Sequence, residues 1–294
     1  MDTEARIETD GGWDRWPLDR ALATMLDYQR RALSAVEQAL PSIARAVEES
    51  ARRLHGTAGR LILTGAGASG RIAVQDGVEL FPTFGWPHDR LLYRMAGGDG
   101  ALVRSVEGAE DDAGAGRREV EALAPGHDDV HIAVAASGTT RYTVEAQRTA
   151  RERGALTIAL ACNPGSPLLD GAAIPVLLET GPEFLAGSTR MSAGTAQKVA
   201  LNLFSTQLMT RLGRVYDGYM VHVVASNAKL RERAVRIVCS ITGATLDAAR
   251  AAMDAAGFDI PVAVLMIDGA GLEEARRRMA EAEGDLRRAR DPGS

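Results

Sequence analysis

Short apolar runs that stop at glycine, each followed by a helical period, constrain this chain more than any other feature. Arg60-Leu61-Ile62-Leu63-Thr64 stops at Gly65-Ala66-Gly67-Ala68-Ser69-Gly70, and Gly70 to Leu80 then reads as a helix. Asp129-Val130-His131-Ile132-Ala133-Val134 is followed by the loop Ala135-Ala136-Ser137-Gly138 and a helix from Tyr142 to Arg153. Leu156-Thr157-Ile158-Ala159-Leu160 ends at Cys162-Asn163-Pro164-Gly165. Ile174-Pro175-Val176-Leu177-Leu178 leads through a third Ser/Thr loop to a helix from about Ala193 to Leu212. Continuous apolar runs of this length suit strands buried on both faces. Strands alternating with helices predict an α/β fold, a parallel sheet flanked by helices. Ligands of such sheets bind at the carboxyl ends of the strands, where all three loops fall.

The flanking regions read as helical. Leu22, Met25, Leu26, Leu33, Val36, Leu40 and Ile43 recur at helical spacing between Asp19 and Leu54, with Pro41 expected to interrupt that helix or start a second. The first dozen or so residues are polar and glycine-rich and are expected to be mobile, with Trp13 and Trp16 as candidate anchors of the N-terminal stretch. From about Asn227 the chain is alanine-rich and helical, interrupted by the short apolar segment Ile260–Met266. The expected organisation is an N-terminal arm with helices over 1–54, a ligand-binding α/β domain over 55–226 and a small helical module over 227–294.

Charge and cysteine content exclude several classes. A formal net charge of −5 is a poor match for nucleic acid, which needs a basic face. The two cysteines, Cys162 and Cys239, form no CxxC pair, so neither a zinc nor a redox motif is expected. The acidic N-terminus has no apolar signal core, and no apolar run reaches the roughly 18 residues of a membrane span. A cytoplasmic protein without membrane partners is expected.

The loops have the chemistry of an anion cradle. In the first, Gly67, Ala68, Ser69 and Gly70 open a helix, where backbone N–H groups and the helix dipole favour a negative charge. Ser69 adds a hydroxyl donor. Ser137, Gly138, Thr139 and Thr140 repeat this in the second loop, and Ser188 and Thr189 in the third, beside Arg190. The first loop also fits the dinucleotide pattern G-x-G-x-x-G, which requires a carboxylate about 20 residues on, at the end of a second strand. Asp89 stands near that distance but follows no clean strand. Three hydroxyl-bearing loops favour a phosphosugar over NAD.

Specific motifs extend this reading. Leu63 to Arg71, Glu79 with Pro82-Thr83-Phe84-Gly85, Ala96-Gly97-Gly98 and Val106-Glu107-Gly108-Ala109-Glu110-Asp111 resemble the N-acetylmuramic acid 6-phosphate etherases. So do Cys162-Asn163-Pro164, Gly187-Ser188-Thr189-Arg190-Met191, Ala193-Gly194-Thr195-Ala196-Gln197-Lys198 and Asn227 with Lys229-Leu230. The resemblance runs from about Arg60 to Thr242. It implies a SIS-type fold related to the glucokinase regulatory protein, a homodimer, and no metal or redox cofactor. It also implies an amino sugar 6-phosphate substrate whose C3 oxygen is eliminated after loss of the C2 proton. The family's catalytic glutamates correspond to Glu79 and Glu110, assigned here as the acid on the leaving oxygen and the C2 base. Such a pair needs environments that hold one carboxyl protonated and the other ionised.

The sequence departs from the family at the loops. Ala68 replaces a usual Thr; Thr139 and Ser192 replace basic residues; His222 replaces an acidic one, and reads as a structural histidine or as a group titrating near neutrality. A lactyl ether carries a carboxylate that charge-assisted donors would hold. Their loss favours dehydration of N-acetylglucosamine 6-phosphate, with etherase activity releasing D-lactate as the alternative. A phosphosugar sensor without turnover and an isomerase sharing C2 deprotonation are the further readings.

Overall fold

The computed structural model describes residues 2–7 and 12–291. Its regular elements, in order, are α1 (Leu18–Leu54), β1 (Leu61–Gly65), α2 (Gly67–Gly77), α3 (Leu80–Phe84), β2 (Leu91–Met95), α4 (Ala113–Leu123), β3 (Val130–Val134), α5 (Arg141–Glu152) and β4 (Leu156–Ala161). There follow α6 (Pro167–Asp170), β5 (Ile174–Leu177), α7 (Ser192–Arg211), α8 (Ala228–Thr242), α9 (Leu246–Ala255), α10 (Ile260–Ile267), α11 (Leu272–Glu281) and α12 (Leu286–Arg290). The chain divides into two compact units, Met1–Gly77 with Asp89–Ser205, and Val78–His88 with Thr206–Ser294. No helix among the described residues is long and apolar enough to cross a membrane.

The first unit is built on a five-stranded sheet of order β2-β1-β3-β4-β5, parallel at every pairing. This is the α/β sheet expected from the alternation of strands and helices. Strands β1, β3 and β4 are buried along their whole length, so each can be apolar at every position. On one face Ile132, Ile158, Leu160 and Val176 meet Ile43 and Ala46 of α1 and Leu201 and Phe204 of α7. On the other, Ala133, Ala159 and Ala161 pack with Leu168 and Leu169. The alternation of odd and even residues between the faces is the period of a strand.

Two features differ from the expectations. Strand β2 is an additional strand whose residues Leu91-Leu92-Tyr93-Arg94-Met95 are buried only at the two ends. An edge strand need not be uniformly apolar, so the criterion that finds the inner strands misses it. Helix α1 continues through Pro41 as one 37-residue helix. Pro41 is exposed, where water can take up the backbone carbonyl that loses its donor. Beyond Ala32 its buried positions keep helical spacing and seat it on the sheet.

The second unit is helical. The short apolar segment Ile260–Met266 is most of α10, with six consecutive buried residues. A helix buried on all sides carries no amphipathic signature, which is why its period is unreadable. Helices α8 to α11 supply the rest of this core through Val235, Val238, Ala249, Met253 and Ala275. Asn227, Thr245, Asp259 and Asp285 cap α8, α9, α10 and α12 by accepting from backbone N–H groups.

Candidate functional site

The first loop joins β1 to α2, and a carboxylate leans on it. Gly67 has φ +52°, and a Cβ there would lie 2.5 Å from Glu110 Oε1. Glycine is required twice, by the left-handed backbone and by the carboxylate. Glu110 stands in the short 3₁₀ turn Ala109–Asp111. With Gly67, Arg71, Met95, Ala96 and Ser105 it encloses a cavity of about 40 Å³. Gly70 supports this loop from below: a Cβ there would meet the Gly65 backbone at 2.9 Å, so helix and strand can pack closely. The Gly70 N–H donates to the Ala66 carbonyl (3.0 Å), leaving the amides of Gly67, Ala68 and Ser69 at the helix start without an intrahelical acceptor.

The second loop is tied to the first. Ser69 Oγ accepts from the Ala136 N–H (3.3 Å), so the two loops after neighbouring strands β1 and β3 are hydrogen-bonded together. Ser137 Oγ accepts from the Thr139 N–H (3.2 Å) and lies 3.3 Å from Thr140 Oγ1. Gly138 has φ +69°, and a Cβ there would lie 2.1 Å from Ser166 Oγ. Thr140 sits at the N-cap of α5 without a side-chain capping bond, so that helix start presents uncapped amides beside the hydroxyls.

The third loop differs in one respect that the sequence did not reveal. Glu183 is fully buried, and its two oxygens accept from the Ser192 and Ala193 N–H groups, both at 2.9 Å. A carboxylate of the chain therefore already occupies the positive end of α7. Ser188 and Thr189 are half-buried in the loop before it, and Arg190 is exposed. Ser192, one of the two replaced basic positions, is buried with its hydroxyl donating to the Tyr28 carbonyl of α1 (3.3 Å). Its side chain serves packing, so its substitution is no sign of a lost ligand donor. The other replaced position, Thr139, is exposed.

Glu79 belongs to the second unit, exposed at the N-cap of α3, where its carbonyl accepts from the Thr83 N–H (3.1 Å). His222, also in the second unit, pairs through Nε2 with the Gly284 carbonyl (2.9 Å). Burial, aided by Arg214, holds its imidazole below the usual histidine value. Of its two readings, the structure supports the structural histidine. Burial pushes the Cys162 thiol up to about 12, against a Thr180 hydrogen bond, which leaves no thiolate for chemistry at neutral pH.

Several supporting residues lay outside the sequence-derived set. Asn163 donates through Nδ2 to the Ala136 and Ser137 carbonyls (3.3 and 3.2 Å) and to Thr3 Oγ1 (3.1 Å). Thr3 is fully buried, its N–H donates to Asn163 Oδ1 (3.3 Å), and its carbonyl accepts from Gly187 (3.2 Å). Within the expected arm Thr3 is thus tied to the second and third loops, and Ile7 joins Phe184 and Met191 in a small core that Trp13 and Trp16 flank. Residues 8–11, in the same expected arm, lie outside the described residues. Asn163 belongs to the Cys162-Asn163-Pro164 motif, but its partners come from distant segments. Arg71, at the end of the motif from Leu63 to Arg71, donates through Nε to the Ala101 and Leu102 carbonyls (3.0 and 3.1 Å) and lines the cavity with Glu110.

Comparison with known proteins agrees with this architecture. A family described as the glucokinase regulatory protein N-terminal SIS domain matches residues 42–149, and the SIS domain family matches 121–207. A phosphosugar-isomerase candidate from Bacteroides fragilis superposes with a TM-score of 0.52 at 19% identity, covering 69% of this chain and 95% of that one. A phosphoheptose isomerase from Francisella tularensis gives 0.50 at 19% identity, covering 65% and 98%. At such identity these share the fold. The N-acetylmuramic acid 6-phosphate etherase of Deinococcus radiodurans is 49% identical over 94% of this chain and 90% of its own length. Those of Rubrobacter xylanophilus and Serratia proteamaculans are 46% and 43% identical, over 99% and 98% of this chain and 96% and 97% of their own lengths. With identity of this order along almost its whole length, the chain belongs to the N-acetylmuramic acid 6-phosphate etherase family.

Proposed function

We propose that this protein is a carbon–oxygen lyase that cleaves the lactyl ether of N-acetylmuramic acid 6-phosphate and releases D-lactate. The observation that carries this reading is the relatives named as etherases at 43–49% identity over nearly the full chain. They favour the ether over dehydration of N-acetylglucosamine 6-phosphate, the reading preferred from the loop substitutions. The burial of Ser192 against α1 removes half of the reason for that preference.

The phosphate is held at the uncapped start of α5 by backbone amides with Ser137, Thr139 and Thr140, and Ser69 bridges that loop to the first. Ser188 and Thr189 contribute hydroxyls rather than a helix dipole, since Glu183 occupies the start of α7. In the open-chain sugar the C1 aldehyde acidifies the C2 proton. Glu110, at Gly67, takes that proton. The C2–H electron pair becomes the C2–C3 double bond as the C3–O bond breaks, and a general acid, the role that the sequence resemblance gives to Glu79, protonates the departing lactate oxygen. A homodimer is part of the same proposal. Helix α1 exposes Leu18, Leu22, Leu26, Leu33 and Leu40, a stripe at helical spacing that favours a second apolar surface.

The test is to incubate the protein with N-acetylmuramic acid 6-phosphate and with N-acetylglucosamine 6-phosphate, following lactate and the mass of the sugar product. Lactate from the first, with no loss of water from the second, is expected. Dehydration of the second with no lactate from the first would restore the dehydratase reading.

A further inference from the structure

The cavity beside Glu110 holds a cation that the elimination step does not use. Arg71 is the fifth residue of α2, and its Nε is fixed by the carbonyls of Ala101 and Leu102 (3.0 and 3.1 Å). Both bonds use Nε, which sets the guanidinium plane and leaves its Nη edge for a bidentate partner. Among the described residues lining the cavity, Arg71 carries the positive charge and Glu110 the negative one. Ser105 adds a hydroxyl to the same wall.

The order of strands gives the cavity a place along the ligand. Ser137–Thr140 follows β3, Gly67 follows β1, and Ser105 and Glu110 follow β2, which ends at Met95. These strands are consecutive in the sheet, at about 4.8 Å spacing. Because C3 is bonded to C2, a sugar with C2 at Glu110 carries its C3 substituent beside the cavity that Glu110 lines. Arg71 and Ser105 stand there. The cavity of about 40 Å³ has room for a small polar group.

We propose that Arg71 is the specificity-determining residue that receives the carboxylate of the C3 lactyl arm. This rests on the etherase reading and adds the means of distinguishing the ether from a bare hydroxyl. A carboxylate next to the anionic Glu110 is repelled unless a cation is paired with it, and a guanidinium with a fixed plane meets that need with two parallel hydrogen bonds. The chain thus keeps a carboxylate receptor apart from the substituted positions Thr139 and Ser192.

The experiment compares N-acetylmuramic acid 6-phosphate with its lactyl carboxamide, which keeps the ether and loses the charge. For the wild-type protein, kcat/KM should favour the carboxylate by about 10- to 100-fold, the worth of a charge-assisted pair. In Arg71→Met the ratio should fall toward one, and Arg71→Lys should retain part of it. Equal losses on both substrates would make Arg71 a tether for the Ala101–Leu102 turn and overturn the proposal. The wild-type ratio alone tests the idea if Arg71→Met fails to fold, because a wild-type protein indifferent to the carboxamide also overturns it. Absence of lactate release from the wild type would overturn the etherase reading as well, which separates the two failures.

Discussion

Replacing Gly67 by alanine should disable the site while leaving the fold in place. The residue has φ +52°, and an alanine held there costs about 1 kcal/mol in backbone strain. The added Cβ would stand 2.5 Å from Glu110 Oε1, whereas ordinary contact begins at 3.4 Å. The carboxylate, at the far end of a flexible side chain, yields first and must retreat by about 0.9 Å. A misplacement of roughly 1 Å in a reacting group lowers turnover by about 100-fold, or ~2.7 kcal/mol in the barrier. Gly67→Ala should therefore lose about 100-fold in kcat for lactate release and only about 1 kcal/mol in urea denaturation. A double-mutant cycle isolates the cause: in a Glu110→Gln background the same substitution should cost little further turnover. A folded Gly67→Ala protein with normal kcat would refute the reasoning. So would a kcat loss of the same size in both backgrounds, because the carboxylate would then not be what the methyl displaces.

Other substitutions probe the supports of the loops. Thr3→Val removes one of three acceptors of the Asn163 amide, which keeps the Ala136 and Ser137 carbonyls, so the cost is one net hydrogen bond, about 1 kcal/mol; KM should rise, Thr3→Ser should restore it, and substrate titration checks both. Glu183→Ala strips the cap from α7 and should lower stability by about 1–2 kcal/mol in urea denaturation. His131 is fully buried, its Nε2 3.1 Å from Thr64 Oγ1, and burial pushes its imidazole down to about 3. Because the unfolded chain binds that proton near pH 6.5 and the folded one does not, stability should fall as pH drops from about 6.5 toward 3; His131→Gln should flatten that slope in denaturation series at each pH. Leu26→Glu with Leu33→Glu on α1 should shift the protein from dimer to monomer in sedimentation velocity, and an unchanged mass would exclude this face as the contact.

The sequence alone determined the parallel α/β sheet, the three loops at its carboxyl edge and the family. Strands β1, β3 and β4 are buried on both sides, so burial writes itself into them as unbroken apolar runs, and glycine marks the turns where only it fits. The motifs around Glu79 and Glu110 were likewise local enough to read. Tertiary structure decided what depends on distant partners. Edge strand β2 needs only its two ends buried and carries no clear pattern. Helix α10 is apolar on every side and so shows no helical period. That Glu183 already fills the start of α7, that Ser192 faces α1, and that Thr3 braces the second loop through Asn163 are contacts between segments far apart in the chain. Arg71 was visible in a motif, but its place beside Glu110 follows from the return of residues 101–110 to the sheet edge. Local sequence records burial and turn geometry, whereas the pairing of charges across a site exists only once the chain has brought them together.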